Sequence, residues 1–146
     1  KMIRIQPDNA SGYYNLGAAL LQMREKSPAI KYFEKCLEID PEHTDAMNRL
    51  AWLFATSPNP DLRNGNKALK LSEKACELTN YENPLYLDTL AASFAEAGNF
   101  SEAVNTAKKA LRISESMNME IFCKDIQSRI DLFQSSKPFR REKRKP

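Results

Sequence analysis

The chain has little with which to do chemistry. Among 146 residues there is one histidine, His43, which falls in a predicted turn. A multi-histidine metal site is therefore excluded and a histidine-centred catalytic device has no second member. The three cysteines, Cys36, Cys76 and Cys123, show no C-x-x-C spacing, and an odd number cannot be fully paired within the chain. Each lies among apolar residues at helical spacing and reads as a small core residue, with a redox or metal role as the alternative. The four glycines, Gly12, Gly17, Gly65 and Gly98, form no dinucleotide fingerprint. No nucleophile–base pair, phosphate loop or metal spacing emerges, so neither catalysis nor a cofactor is expected. Nothing approaches the roughly 18 consecutive apolar residues of a membrane span. The first twenty residues lack the regions of a signal peptide.

What is present suits a small helical protein. Hydrophobic residues make up 42% of the chain, enough to bury a core, and charged residues 28%. The net charge of +3 misleads: the last ten residues hold Lys137, Arg140, Arg141, Lys143, Arg144 and Lys145 against Glu142 alone, a balance of +5, which leaves −2 for the remainder. The body is near neutral and the basicity belongs to a tail. That tail reads as solvated chain, with contact to nucleic acid or an anionic membrane as the alternative. Its single aromatic, Phe139, supports base stacking poorly, so no specific nucleic acid is expected.

A repeat organises the rest. Lys1–Leu16 (KMIRIQPDNASGYYNL) aligns without a gap on Lys35–Leu50 (KCLEIDPEHTDAMNRL) at an offset of 34, and KKALRISES from Lys108 is a third copy. Tyr13, Leu16, Leu20 and Met23 recur at steps of three and four, the stripe of an amphipathic helix. Ser27-Pro28 then predicts a cap followed by proline at the first helical position. The second helix carries Ala29, Tyr32, Phe33, Cys36 and Leu37 and ends at Asp40-Pro41.

Tyr13-x2-Leu16-Gly17-x2-Leu20, then Ala29-x3-Phe33, then Pro41 resembles the signature of the tetratricopeptide repeat family, as does the period. Two degenerate units follow in register. One has Met47, Leu50, Ala51, Phe54, Ala68 and Ala75; the other has Leu87, Leu90, Ala91, Phe94, Gly98, Ala103 and Ala110. Ser72 and Ala107 stand where the bulky second-helix residue is expected, and Asn80 and Glu115 where the closing proline is. The resemblance implies an all-α, right-handed solenoid. Its expected parts are a remnant second helix at 1–9, repeats at 10–43, 44–83 and 84–117, a capping helix at 118–134 and a disordered basic tail at 135–146. Starting in mid-helix suggests a fragment of a longer protein, and its exposed end offers a surface for self-association. Repeat two carries an inserted loop, 57–66, read as a tolerated insertion with Leu62 tucked inward or as a contact loop.

In this family the first helix of each unit lines a concave groove, so the resemblance also implies a site. The register places Tyr14, Asn15, Ala18 and Gln22 of the first unit there, Asn48, Arg49 and Trp52 of the second, and Asp88 and Thr89 of the third. These types suit an extended peptide: flat aromatic area, a guanidinium for a carboxylate, and amides for a peptide backbone. Trp52 has a structural alternative, packing between helices. The carboxylate clamp with which some family members hold chaperone tails is missing, because Tyr14 and Ala18 replace its lysine and asparagine and Leu85 and Thr89 its basic pair. The implied function is scaffolding, through an unidentified protein or peptide partner. The stretch from Leu50 to about 142 also resembles C-terminal domains of larger bacterial proteins, some of them membrane glycosyltransferases, so an accessory domain of an enzyme is the rival reading. Free cysteines favour a reducing, cytoplasmic compartment; attachment to a membrane protein would put the domain outside it.

Overall fold

A computed structural model describes residues 9–141, which form seven helices and no strand. They are α1 (Ala10–Gln22), α2 (Lys26–Ile39), α3 (Thr44–Thr56), α4 (Gly65–Leu78), α5 (Pro84–Glu96), α6 (Phe100–Ser116) and α7 (Glu120–Gln134). The helices pack as antiparallel pairs, α1 with α2, α3 with α4 and α5 with α6, and α7 lies on α6. Successive pairs stack, with α3 directly against α5. The result is an all-α solenoid. The segment expected as a remnant helix falls outside the described residues except Asn9, so the end-to-end contact it suggested falls outside them too. Asn9 itself caps α1 by accepting the Gly12 amide at 3.0 Å.

Short polar residues start most helices. Asn64, Asn83 and Asn99 accept amides from the first turns of α4, α5 and α6, satisfying donors that have no partner within the helix. His43 does the same for α3, its Nδ1 accepting the Ala46 amide at 3.2 Å. The one histidine is thus a cap. Helix α2 differs from the expected start: it begins at Lys26, so Ser27 and Pro28 lie inside its first turn and no side chain caps it. Proline is tolerated there because first-turn amides lack an intrahelical partner anyway. The inserted loop is likewise shorter than expected, residues 57–64, since the Asn64 cap lets the helix begin at Gly65.

Close helix approach explains the small residues. Ala29, Ala51, Ala68, Ala91 and Ala103 are fully buried. A Cβ on Gly17 would lie 2.7 Å from Cε1 of the buried Phe33 ring. Ser72, where a bulky residue was expected, is buried but satisfied, its hydroxyl donating to the Ala68 carbonyl at 2.8 Å. At the C-terminal end Ile126, Ile130 and Phe133 of α7 cover the apolar face of the last repeat.

The tail departs from expectation. Residues 138–140 are half-buried and 139–141 make contacts with α3 and α5, while 135–137 are exposed; 142–146 lie outside the described residues. Ser136 adopts a left-handed conformation (φ 56°) and the Lys137 amide donates to the Leu132 carbonyl at 3.0 Å. This closure ends α7 and reverses the chain, with Pro138 just beyond it. The reversal sends residues 138–141 back to α3 and α5.

Candidate functional site

The residues that the repeat register assigns to a groove fall into two groups, and the first is open to solvent. Tyr14 on α1 rests its ring on Phe33 and His43, with centroids 5.6 and 5.0 Å away. Its hydroxyl accepts from Nε of the exposed Arg49 on α3 at 3.3 Å. Asn15 and Gln22 are exposed and Ala18 half-buried on the same helix. Asn48 precedes Arg49 and is half-buried, but its Oδ1 is shielded from solvent and has no hydrogen-bond donor. Such an orphan acceptor costs about 1–3 kcal/mol unless something supplies a donor.

The second part is filled. Asp88 of α5 is buried and receives a bidentate grip from Arg129 of α7, Nε to Oδ1 at 2.8 Å and Nη2 to Oδ2 at 2.7 Å. Burial pushes the Asp88 carboxyl up, and the guanidinium pulls it back down. The Arg129 guanidinium also lies over the Trp52 ring (5.6 Å) and over Phe139 (5.0 Å). Trp52 and Phe139 touch each other, with centroids 5.7 Å apart. Beyond them Arg140 pairs with Glu96 at 2.6 Å, and the Arg141 amide donates to the Thr56 carbonyl at 2.9 Å. That carbonyl sits at the end of α3, where it has no partner within the helix.

The expected groove residues therefore divide. Tyr14, Asn15, Ala18, Gln22, Asn48 and Arg49 are exposed or half-buried on α1 and α3. Trp52 is on the groove but half-covered by the chain's own tail. Asp88 is spent on Arg129, and Thr89 is buried with its hydroxyl donating to the Leu85 carbonyl at 3.2 Å, so neither faces a partner. Arg129, Phe139 and Arg140 were not anticipated. One signal was present for Arg129: the period of 34 carries Ala95 of α5 onto it.

The inserted loop supports the groove rim. Arg63 Nη1 donates to the Ser57 carbonyl at 2.9 Å and its Nε lies 3.6 Å from Glu96. Leu62 is half-buried. The described residues gather no cluster of histidine, cysteine and acidic side chains fit for a metal. Cys36 and Cys76 are fully buried; burial, with Asp40 adding, raises the first thiol to about 11, and burial raises the second to about 12. Both stay protonated and unreactive near neutrality. None of the described helices is long and apolar enough to cross a membrane.

Comparison with known proteins agrees with this architecture. Residues 10–43 match the sequence family described as tetratricopeptide repeat. The chain is 32% identical over 105 residues to the protein STIP1 homolog of Dictyostelium discoideum, covering 71% of this chain and 17% of that protein. It is 22% identical over 117 residues to the tetratricopeptide repeat-containing protein trd-1 of Caenorhabditis elegans, covering 79% of this chain and 14% of that one. In both cases the chain spans less than a fifth of its relative. Among solved structures the MamA protein superposes with a TM-score of 0.62 at 23% identity, over 78% of this chain and 59% of that one, which is a likeness of fold. Residues 10–43 are a tetratricopeptide repeat, and repeats of this kind typically serve as protein-interaction scaffolds.

Proposed function

We propose that this tetratricopeptide-repeat solenoid is a non-catalytic module that binds an extended segment of a partner protein in its concave groove. The observation that carries the reading is Asn48. Its Oδ1 is buried without a donor beside the exposed guanidinium of Arg49. An incoming peptide amide would satisfy that oxygen, and a peptide carboxylate would take Arg49, whose present partner is only a tyrosine hydroxyl. Tyr14 supplies flat area next to them. The missing clamp residues, a lysine and an asparagine at Tyr14 and Ala18 and a basic pair at Leu85 and Thr89, argue for a ligand other than an acidic chaperone tail.

Peptide-display selection on the immobilised full chain tests this. Peptides enriched on the wild type should lose enrichment on Asn48→Leu and Arg49→Ala, with the helical circular-dichroism signal intact. Equal enrichment on all three proteins refutes the reading. A second reading rests on the resemblance of residues 50 to about 142 to C-terminal domains of larger bacterial proteins: the same groove serves as an accessory docking domain within a larger enzyme. There the binding chemistry is unchanged and the partner is a segment of that enzyme or its substrate.

A further inference from the structure

The filled part of the groove holds a segment of definite chemistry, and that segment is the chain's own. Phe139 lies on Trp52, the Arg129 guanidinium lies over both rings, Arg140 pairs with Glu96, and the Arg141 amide reaches the Thr56 carbonyl. The contacts are of three kinds: an aromatic surface, an ion pair and a main-chain hydrogen bond. That combination recognises an extended peptide, because the main-chain bond fixes its path while two side chains select it.

The seat is loose compared with a structural cap. Ile126, Ile130 and Phe133 of α7 are at most 2% exposed, whereas Pro138, Phe139 and Arg140 stay half-buried and Arg141 is exposed. An open hollow of about 520 Å³ remains between the tail and α7, lined in part by Asp125, Ser128 and Leu132. The linker Ser135–Lys137 is exposed, so the segment can lift away without unpacking α7. The asymmetry of charge points the same way: a basic tail answers a body of net −2 and finds Glu96 within it.

We infer that Trp52, Arg129, Glu96 and the Thr56 carbonyl form a subsite for a partner segment with an aromatic residue followed by an arginine, and that residues 139–141 occupy it as an internal competitor. The inference rests on the groove-binding reading but concerns a different part of the groove. A partner carrying the same chemistry binds there by displacing the tail. An internal competitor of modest intrinsic affinity, about 0.1 mM, held at an effective concentration of about 1 mM, weakens such a partner roughly tenfold.

Trp52 is the chain's only tryptophan, so its fluorescence reports on this subsite alone. The probe is a synthetic peptide of the tail sequence, SSKPFRR, titrated into the full-length wild type and into the full-length Phe139→Ala/Arg140→Glu variant. The variant should show red-shifted emission before peptide is added, bind the peptide about tenfold more tightly than the wild type, and shift back toward the blue. A peptide with Phe replaced by Ala should bind neither, and adding Glu96→Arg to the variant should abolish binding. Equal affinity of wild type and variant overturns the inference, as does emission that the tail substitutions leave unmoved. Wild-type self-association that the tail substitutions abolish also overturns it, in favour of a second copy as the occupant. The groove reading fails separately, through indifference to Asn48→Leu and Arg49→Ala in the display selection.

Discussion

Two arginines, Arg49 on α3 and Arg129 on α7, lie in very different surroundings. Arg49 is exposed and holds one tyrosine hydroxyl at 3.3 Å. Arg129 is 8% exposed, grips Asp88 with two bonds and lies over two aromatic rings. The equivalent positions Asn48 and Asp88 differ in the same sense: one has an oxygen with no donor, the other has both oxygens occupied. A repeat register thus identifies which face a residue occupies. Whether that residue is available depends on what the next repeat sends across the groove.

The comparison predicts its largest effect on stability. Removing either member of a buried pair leaves an uncompensated charge, at about 3–5 kcal/mol. Asp88→Ala and Arg129→Ala should each lower the unfolding free energy by that order. Arg49→Ala, a surface change, should stay within about 0.5 kcal/mol. Denaturant melts of the three variants check this, and similar losses at Arg49 and Arg129 would dissolve the distinction between the two parts.

The joint between the two parts responds to alkali. Tyr86 of α5 donates its hydroxyl hydrogen to the Asp45 carboxylate of α3 and accepts a hydrogen bond from the Thr44 hydroxyl beside it. Burial first, then the Asp45 hydrogen bond, raises its hydroxyl to about 12. An unperturbed tyrosine titrates near pH 10. The fold therefore prefers the neutral phenol. This contribution is complete below about pH 10 and is lost as pH rises through 12. Cys36 and Cys76 add slopes of the same sign, from the ordinary thiol range up to about 11 and 12. Tyr86→Phe should consequently be less stable at neutral pH yet lose less on going from pH 10 to 12 than the wild type. Parallel stability curves would show that the phenol is not what holds α3 to α5 there.

Much of the fold was legible because its causes are local. The helix stripe from Tyr13 to Leu20, the alanines at close approaches and the period of 34 all follow from neighbours along the chain. Two boundaries slipped: α2 starts at Lys26 with no side-chain cap, so Ser27 does not mark its start, and Asn64 caps α4 inside what was read as the loop. The site was harder to read. Tyr14, Asn48 and Arg49 owe their exposed or half-buried positions to their own helices, which the repeat register tracks. Asp88 and Thr89 did not behave as groove residues, since the pairing of Asp88 with Arg129 spans 41 residues and no periodicity encodes it. The tail lost its apolar rhythm after Gln134 and so resembled solvated chain. Its order comes from one aromatic, one ion pair and one main-chain bond made to distant helices.

The smallest effect bears most directly on function. If Asn48 Oδ1 stands unsatisfied because a ligand completes it, the free protein carries that cost. Replacing the amide with an apolar side chain of similar size removes the buried orphan, which can be neutral or stabilising where deleting half of a satisfied pair is not. Asn48→Leu should therefore raise the unfolding free energy by about 1 kcal/mol while weakening peptide binding. Asp88→Leu, at the equivalent position one repeat on, should destabilise, because Arg129 would lose its counter-charge. Paired melts of the two leucine variants, read beside the display selection, settle the sign. A destabilised Asn48→Leu would mean that the oxygen is satisfied in the free protein, and the open part of the groove would then lose its best mark of an absent partner.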